Sequence, residues 1–253
     1  MTATFIPESG LHTESQPSRH RRPVAYRLTH RDLALAAFID RVGYATSEQV
    51  RRRFGLSDHM CWRRLRALRG SGRVRSSRPL AGPSILYPAG APAPNVRYLD
   101  HALTATSVVL ALEAQGLEVV TERMMRQDEY SDGQRSLWSI PVSQQALFGE
   151  KVTHRPDLAI KASGGLVAIE VELTRKSKRR MARIMGAWAR QGRYCEVRYL
   201  CRSPVLRDLV AAQAMEHGAD LVVRASLLAD WLSTQPHDFA TAETPDSRSL
   251  PEG

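Results

Sequence analysis

Three carboxylates fall within residues 154–176, HRPDLAIKASGGLVAIEVELTRK, which end on Lys176. Asp157 precedes one apolar stretch, Gly164-Gly165 offers a turn, and Glu170 and Glu172 alternate along a second apolar stretch, with Lys176 just beyond it. Successive strand residues face opposite ways. Val167, Ile169, Val171 and Leu173 therefore point to a core, and Glu170 and Glu172 share the other face. A two-residue turn at Gly164-Gly165 pairs Ser163 with Leu166. Counting outward sets Ala159 opposite Glu170 and Asp157 opposite Glu172, on one side of the sheet. A three-residue loop would destroy that alignment.

Crowded carboxylates repel unless a proton or a cation relieves them. Mg²⁺ is suited to this, because it takes oxygen ligands, commonly one or two carboxylates plus a substrate phosphate. A bound metal polarises the phosphate and lowers the pKa of an attacking water. The expected chemistry is thus Mg²⁺-assisted phosphodiester hydrolysis. Asp157 and Glu170 are the expected metal ligands. Glu172 is a further ligand or a base, and Lys176 stabilises charge. His154 is read first as a residue that fixes the loop before the strand, with a base or phosphate contact as the alternative, and Arg155 as doing the same or binding phosphate. The plain alternative is that Glu170 and Glu172 form the wet face of a strand and Asp157 caps a turn.

Elements to position these residues can be traced on both sides. Upstream, Thr29 with Asp32 and Thr46 with Gln49 are capping pairs, and Gly43 ends the first helix. Gly55-Leu56-Ser57 makes a tight turn into a third helix that runs to about Gly70. Cys61, Leu65 and Leu68 form its core stripe. His59, Trp62, Arg63 and Arg66 lie opposite, with Arg69 one turn further. Arg75 and Arg78 lie on a following hairpin that closes through Ile85-Leu86-Tyr87. Downstream, the expected order is a helix (101–115), a strand (117–125), a polar loop with a short strand (127–150), and the hairpin strands (157–162 and 166–173). A basic helix (175–191), a strand (194–201), a helix (204–217), a strand (220–224) and a final helix (226–232) complete it. In the basic helix Met181, Ile184, Met185 and Trp188 form an apolar stripe, and Arg179, Arg180, Arg183 and Arg190 stand opposite, where they can follow a nucleic-acid backbone or merely be solvated.

The charge points to a polyanion. The chain has 253 residues and a net charge of +10, from 36 Lys and Arg against 26 Asp and Glu. Residues 1–95 hold 16 Arg and 6 acids, whereas residues 96–253 hold 20 of each sign, so the whole excess lies in the first part. An uneven basic module suits nucleic acid, and no apolar helix face beside it suggests a membrane. No apolar run is long enough to span a bilayer, and no secretory leader is visible, so a cytoplasmic location is expected. Cys61, Cys195 and Cys201 fit neither a disulfide framework nor a zinc site and are read as buried thiols.

Three helices and a basic hairpin in this order resemble the winged helix-turn-helix over residues 28–88. The later order of helix, strands, helix and strand resembles the restriction-endonuclease-like core of the PD-(D/E)xK nucleases. Pro156-Asp157 matches the PD element and Glu170-Val171-Glu172 the (D/E)xK element, with Glu172 where a lysine is usual. The resemblance implies Glu122, on the strand expected at 117–125, as a further metal ligand, and Lys176 or Lys178 as a lysine displaced to the next helix. The combination, with HRPD and EVELT-x-K, is similar to the replication-relaxation family of plasmids and other mobile elements, over residues 28–224. The resemblance implies an α/β fold of two domains: an N-terminal winged helix-turn-helix and a C-terminal restriction-endonuclease-like mixed sheet flanked by helices. The expected division is a polar tail (1–23), a DNA-binding domain (24–90), a linker (91–99), a nuclease-like domain (100–233) and a second tail (234–253). It implies a double-stranded DNA partner contacted by His59, Trp62, Arg63, Arg66, Arg69, Arg75 and Arg78, Mg²⁺ as cofactor, and a homodimer on paired half-sites as one arrangement. Two functions stay open. One is an endonuclease or nickase serving element replication, relaxation or transfer. The other is a non-catalytic winged-helix regulator or replication accessory protein with a degenerate nuclease fold.

Overall fold

A computed structural model describes residues 27–78, 82–131, 137–142 and 152–233. The tails expected at 1–23 and 234–253 lie outside these residues, as do the hairpin tip at 79–81 and much of the 127–150 loop.

Local capping builds the first module. Helix α1 (His30–Val42) opens on Thr29, whose side chain accepts from the Asp32 amide while Asp32 answers the Thr29 amide. Strand β1 (Ala45–Thr46) leads into α2 (Ser47–Phe54), where Thr46 and Gln49 repeat that reciprocal cap. Such caps satisfy amides that the first helical turn leaves without partners. Gly55 takes the left-handed conformation at φ 57° and turns the chain into α3 (Asp58–Gly70), capped by Ser57. Strands β2 (Val74–Ser77) and β3 (Ile85–Pro88) form an antiparallel hairpin, and β1 adds to it in the order β1-β3-β2. Leu35, Ile39, Val50, Leu65 and Leu68 pack as one core. Fully buried Asp32 locks α1 to α3, since its Oδ2 accepts from Arg64 at 3.1 Å.

Helix α4 (Val96–Ala114) begins five residues before the expected start, because the Asn95 side chain caps the Arg97 amide. The strand expected at 117–125 divides into β4 (Val119–Thr121) and α5 (Glu122–Ser131). Thr121 makes the break: its hydroxyl accepts from the Met124 amide, and Met125 and Glu129 are then buried one helical turn apart. Short strands β5 (Ile140–Pro141) and β6 (Thr153–His154) pair with each other. The hairpin is β7 (Leu158–Ala162) and β8 (Gly165–Glu172), followed by α6 (Lys178–Arg190), β9 (Tyr194–Cys201), α7 (Pro204–Glu216), β10 (Val223–Leu227) and α8 (Leu228–Ser233). Strand β10 starts three residues later than expected, because Val222 and Val223 first turn back to the Ala219 carbonyl.

The architecture is therefore mixed α/β. The five-stranded sheet runs β10-β9-β8-β7-β4, with β8, β9 and β10 parallel and β7 antiparallel to both of its neighbours. Parallel neighbours need crossovers, which α6 and α7 supply. One sheet face packs on α4 and α8 through Val108, Leu112, Val167, Ile169, Val171 and Trp231. The other packs on α5, α6 and α7 through Met125, Ala168, Met185, Trp188, Tyr199 and Val210. Cys61 and Cys201 are buried as expected, but Cys195 is exposed near the start of β9.

Helix α4 also binds the first module to the sheet. Gln49 Nε2 donates to the Leu103 carbonyl (2.8 Å) and Ser107 Oγ (2.9 Å), and Thr106 Oγ1 donates to the Tyr44 carbonyl (2.8 Å). Glu113 takes both Arg41 and Arg53. Thr121 Oγ1 donates to the Arg41 carbonyl (2.7 Å), and Arg123 pairs with Asp40.

Candidate functional site

The β7–β8 turn is two residues long, but it consists of Ser163 and Gly164, one position earlier than expected. Ala162 pairs with Gly165, Ala159 with Ala168 and Leu158 with Ile169. Sliding the turn by one residue shifts the register by two, so the strand alternation keeps its parity. Asp157 is thereby carried level with Glu170 rather than Glu172, still on the face of Glu170 and Glu172. Asp157 itself lies just before β7.

That face is covered. Glu170 and Glu172 are only 3% and 2% exposed, beneath the side of the sheet that carries α6, which removes the wet-face alternative. A buried carboxylate needs hydrogen bonds or a counter-charge, and each of the three has a basic partner. His154 Nε2 lies 2.7 Å from Glu170 Oε1. His101 Nε2 lies 3.1 Å from Asp157 Oδ2, which also accepts the Val171 amide at 2.7 Å. Lys176 Nζ bonds Glu172 Oε2. The chain's own bases thus relieve the crowding for which a cation was expected.

Electrostatics make these groups one cluster. Burial raises the Glu170 pKa, offset in part by His154, while Asp157 pushes it up further. Burial pulls the His154 pKa down, yet the charge and hydrogen bond of Glu170 hold it above its ordinary value. The hydrogen bond to Asp157 raises His101. Beneath them Tyr199, buried and accepting from Trp188 Nε1 at 3.1 Å, has its pKa driven upward by burial and by Glu170. The His154 ring stands edge-on to Trp188, with centroids 5.6 Å apart.

Glu122 takes no part. It is the first residue of α5, not a strand residue, and its carboxylate meets Arg126 at 2.5 Å. Arg155, next to His154, pairs with buried Glu129 of α5. Glu129 also accepts from the Trp138 and Ser139 amides. His101 has no signal in the sequence. It lies on α4, 56 residues from Asp157 along the chain, and only folding joins them.

The donor set suits Mg²⁺ in kind but not in number. Among the described residues no group of three or more His, Cys, Asp and Glu side chains is arranged to hold a metal. Asp157 and Glu170 remain. Each gives one carboxylate oxygen to a histidine, and two carboxylates with a substrate phosphate are a common Mg²⁺ set.

The outer face of α3 is built differently. His59, Trp62, Arg63, Arg66 and Arg69 are exposed, as are Arg75 on β2 and Arg78 just after it. Arg66 lies over the Trp62 ring at 5.3 Å, and Arg69 Nη1 donates to Ser76 Oγ at 3.3 Å, tying α3 to β2. Arg63 touches Met60 Sδ. Among the described residues none of these arginines pairs with a carboxylate. Those of α2 do: Arg51 and Arg52 with Glu48, and Arg53 with Glu113.

No helix among the described residues is long and apolar enough to cross a membrane. No family model, curated protein or solved structure matches the chain.

Proposed function

We propose that this chain binds double-stranded DNA through a winged helix-turn-helix made of α1–α3 and the β2–β3 hairpin. We further propose that Asp157, Glu170 and their partners form a Mg²⁺-dependent endonuclease or nickase centre on a nuclease-like domain. Plasmid or mobile-element replication, relaxation or transfer is the setting the family resemblance implies. The observation that carries the reading is the placing of Asp157 level with Glu170 on one sheet face, in a chain whose basic excess lies within its first 95 residues.

Asp157 and Glu170 would hold the metal. When bound, Mg²⁺ would polarise a phosphodiester and acidify a water. The chain's own residues do the rest. The Val171 amide and His101 fix the Asp157 carboxylate. His154 orients Glu170. Lys176 takes up the charge of Glu172, which stands where a lysine is usual, and brings an ammonium to the end of β8. On α3, Arg63 and Arg66 have the reach for phosphates or guanine edges.

One observation favours a second reading, a non-catalytic DNA-binding regulator or replication accessory protein. Each acid of the cluster already has a base within the chain, so neutrality does not require a metal. Supercoiled plasmid incubated with Mg²⁺ or Mn²⁺, beside an Asp157→Asn variant, separates the two. Nicking or cutting by wild type that the variant lacks is the expected result. No cleavage, or equal cleavage by both, ends the catalytic reading. Either function admits a homodimer, which sedimentation would measure.

A further inference from the structure

A cavity of about 480 Å³ opens between β6 and the first turns of α6, beside the carboxylate cluster. Arg179, Arg180 and Arg183 line it, with Ser177, His154 and, on its apolar side, Ile184. All three arginines are exposed, and among the described residues no carboxylate pairs with any of them. Three like charges within little more than one helical turn repel one another, and among the described residues no acid offsets that cost. The opposite face of α6 explains the helix without them, since Met181, Ile184, Met185 and Trp188 are buried against the sheet. The arginines are therefore surplus to folding and concentrated on a concave surface. Arginine presents a planar fork of donors matched to phosphate oxygens, and a cavity of this volume is of the class that accepts small ligands. His154 is a wall of the cavity and the partner of Glu170 at once. A ligand seated there lies one side chain away from that carboxylate.

We propose that this cavity is a phosphate-ester site that holds the sugar-phosphate backbone of a nucleic-acid strand beside the carboxylate cluster. It deepens the DNA-binding reading and rests on it, adding a second contact surface separate from α3. A backbone contact of this kind is blind to base sequence. It sets where the strand lies, not which site is chosen. The apolar wall at Ile184 suits a deoxyribose, and the guanidinium groups suit its phosphates.

The test uses the full chain with R179Q/R180Q/R183Q and with the corresponding triple lysine variant, because exposed positions leave the fold intact and lysine restores charge. Binding to a short duplex is measured between about 50 and 200 mM salt, where each lost phosphate contact lowers the slope of log K against log salt by about one. The expected result is a glutamine variant whose slope falls by about two to three and a lysine variant that keeps most of it. An unchanged slope overturns the proposal. R63A/R66A runs in parallel. If that variant loses slope and the α6 variant does not, DNA binding by α3 stands and the α6 site falls. Thymidine monophosphate distinguishes the source of the phosphate ester. A thermal shift in wild type that the glutamine variant lacks, with the duplex slope unchanged or with no duplex binding at all, assigns the cavity to a free nucleotide and overturns the strand.

Discussion

Two charged regions of this molecule handle charge in opposite ways. On the outer face of α3 Arg63, Arg66 and Arg69 stand in solvent, and among the described residues no acid pairs with them, whereas Arg64 on the inner side is bound to Asp32. Around β8 the acids lie under a helix, each with a base of its own. A surface charge without a partner costs little in water and is available to whatever arrives. A buried charge must be answered within the fold, and a ligand can engage it only by competing with that answer. The α3 face is thus read through its lack of contacts, and the cluster through its surplus of them. Arginines alone do not make a binding face: those of α2 are equally numerous and are spent on Glu48 and Glu113.

The contrast makes its largest prediction at Glu172. Lys176→Met strands a buried carboxylate, and a loss of about 3–5 kcal/mol in urea unfolding is expected. Adding Glu172→Leu recovers most of it, because the apolar pair needs no counter-charge. A loss within about 0.5 kcal/mol, typical of surface changes, would show that the pair is not buried as described. R63A/R66A is the mirror image. Duplex affinity falls by roughly ten- to a hundredfold, and the salt slope by about two. Unfolding free energy in the same variant moves by no more than about 0.5 kcal/mol. Equal loss of stability and binding would erase the distinction between the two regions.

A smaller effect concerns pH. His101 and His154 are both raised above the ordinary value of 6.5. A raised pKa means that the folded chain holds its proton more tightly than the unfolded one. Their contribution is complete below pH 6.5 and is lost as pH rises through the folded values. Melting temperature should therefore decline above pH 6.5, and H101Q/H154Q should flatten that decline. A decline of equal steepness in the variant would assign it to other groups. The smallest effect belongs to Thr46→Ala, which removes one half of a reciprocal cap and costs about 1 kcal/mol. DNA binding should not change, because Thr46 is buried and its hydroxyl serves the Gln49 amide rather than the α3 surface.

How much of this could be read from the sequence depends on the reach of each interaction. Thr29 with Asp32, Thr46 with Gln49, and Ser57 act within one helical turn, so α1, α2 and α3 begin where their residues say. The hairpin was legible for the same reason, and its one-residue error in the turn did no harm because register moves in steps of two. Strand β1 is two residues long and pairs with β3 across the module, so nothing nearby announces it. The sequence from Val119 to Met125 is apolar enough for a strand, and only the Thr121 cap converts its second half to helix. Alternation put Glu170 and Glu172 on one face but could not say that α6 covers it. That cover, and the approach of His101 to Asp157, are tertiary facts.

Helix α4 carries a consequence for dissection and for geometry alike. One of its turns holds Gln49, another holds Arg41 and Arg53, and His101 near its start holds Asp157. A cut within the proline-rich stretch before it would leave those polar groups facing water on one fragment and unmatched on the other. On the proposed function the same helix acts as a gauge block. Whatever stretch of duplex α3 grips, the acids on β8 meet the strand at a set number of base pairs from it, so the spacing between recognition and chemistry is written into the length of one helix.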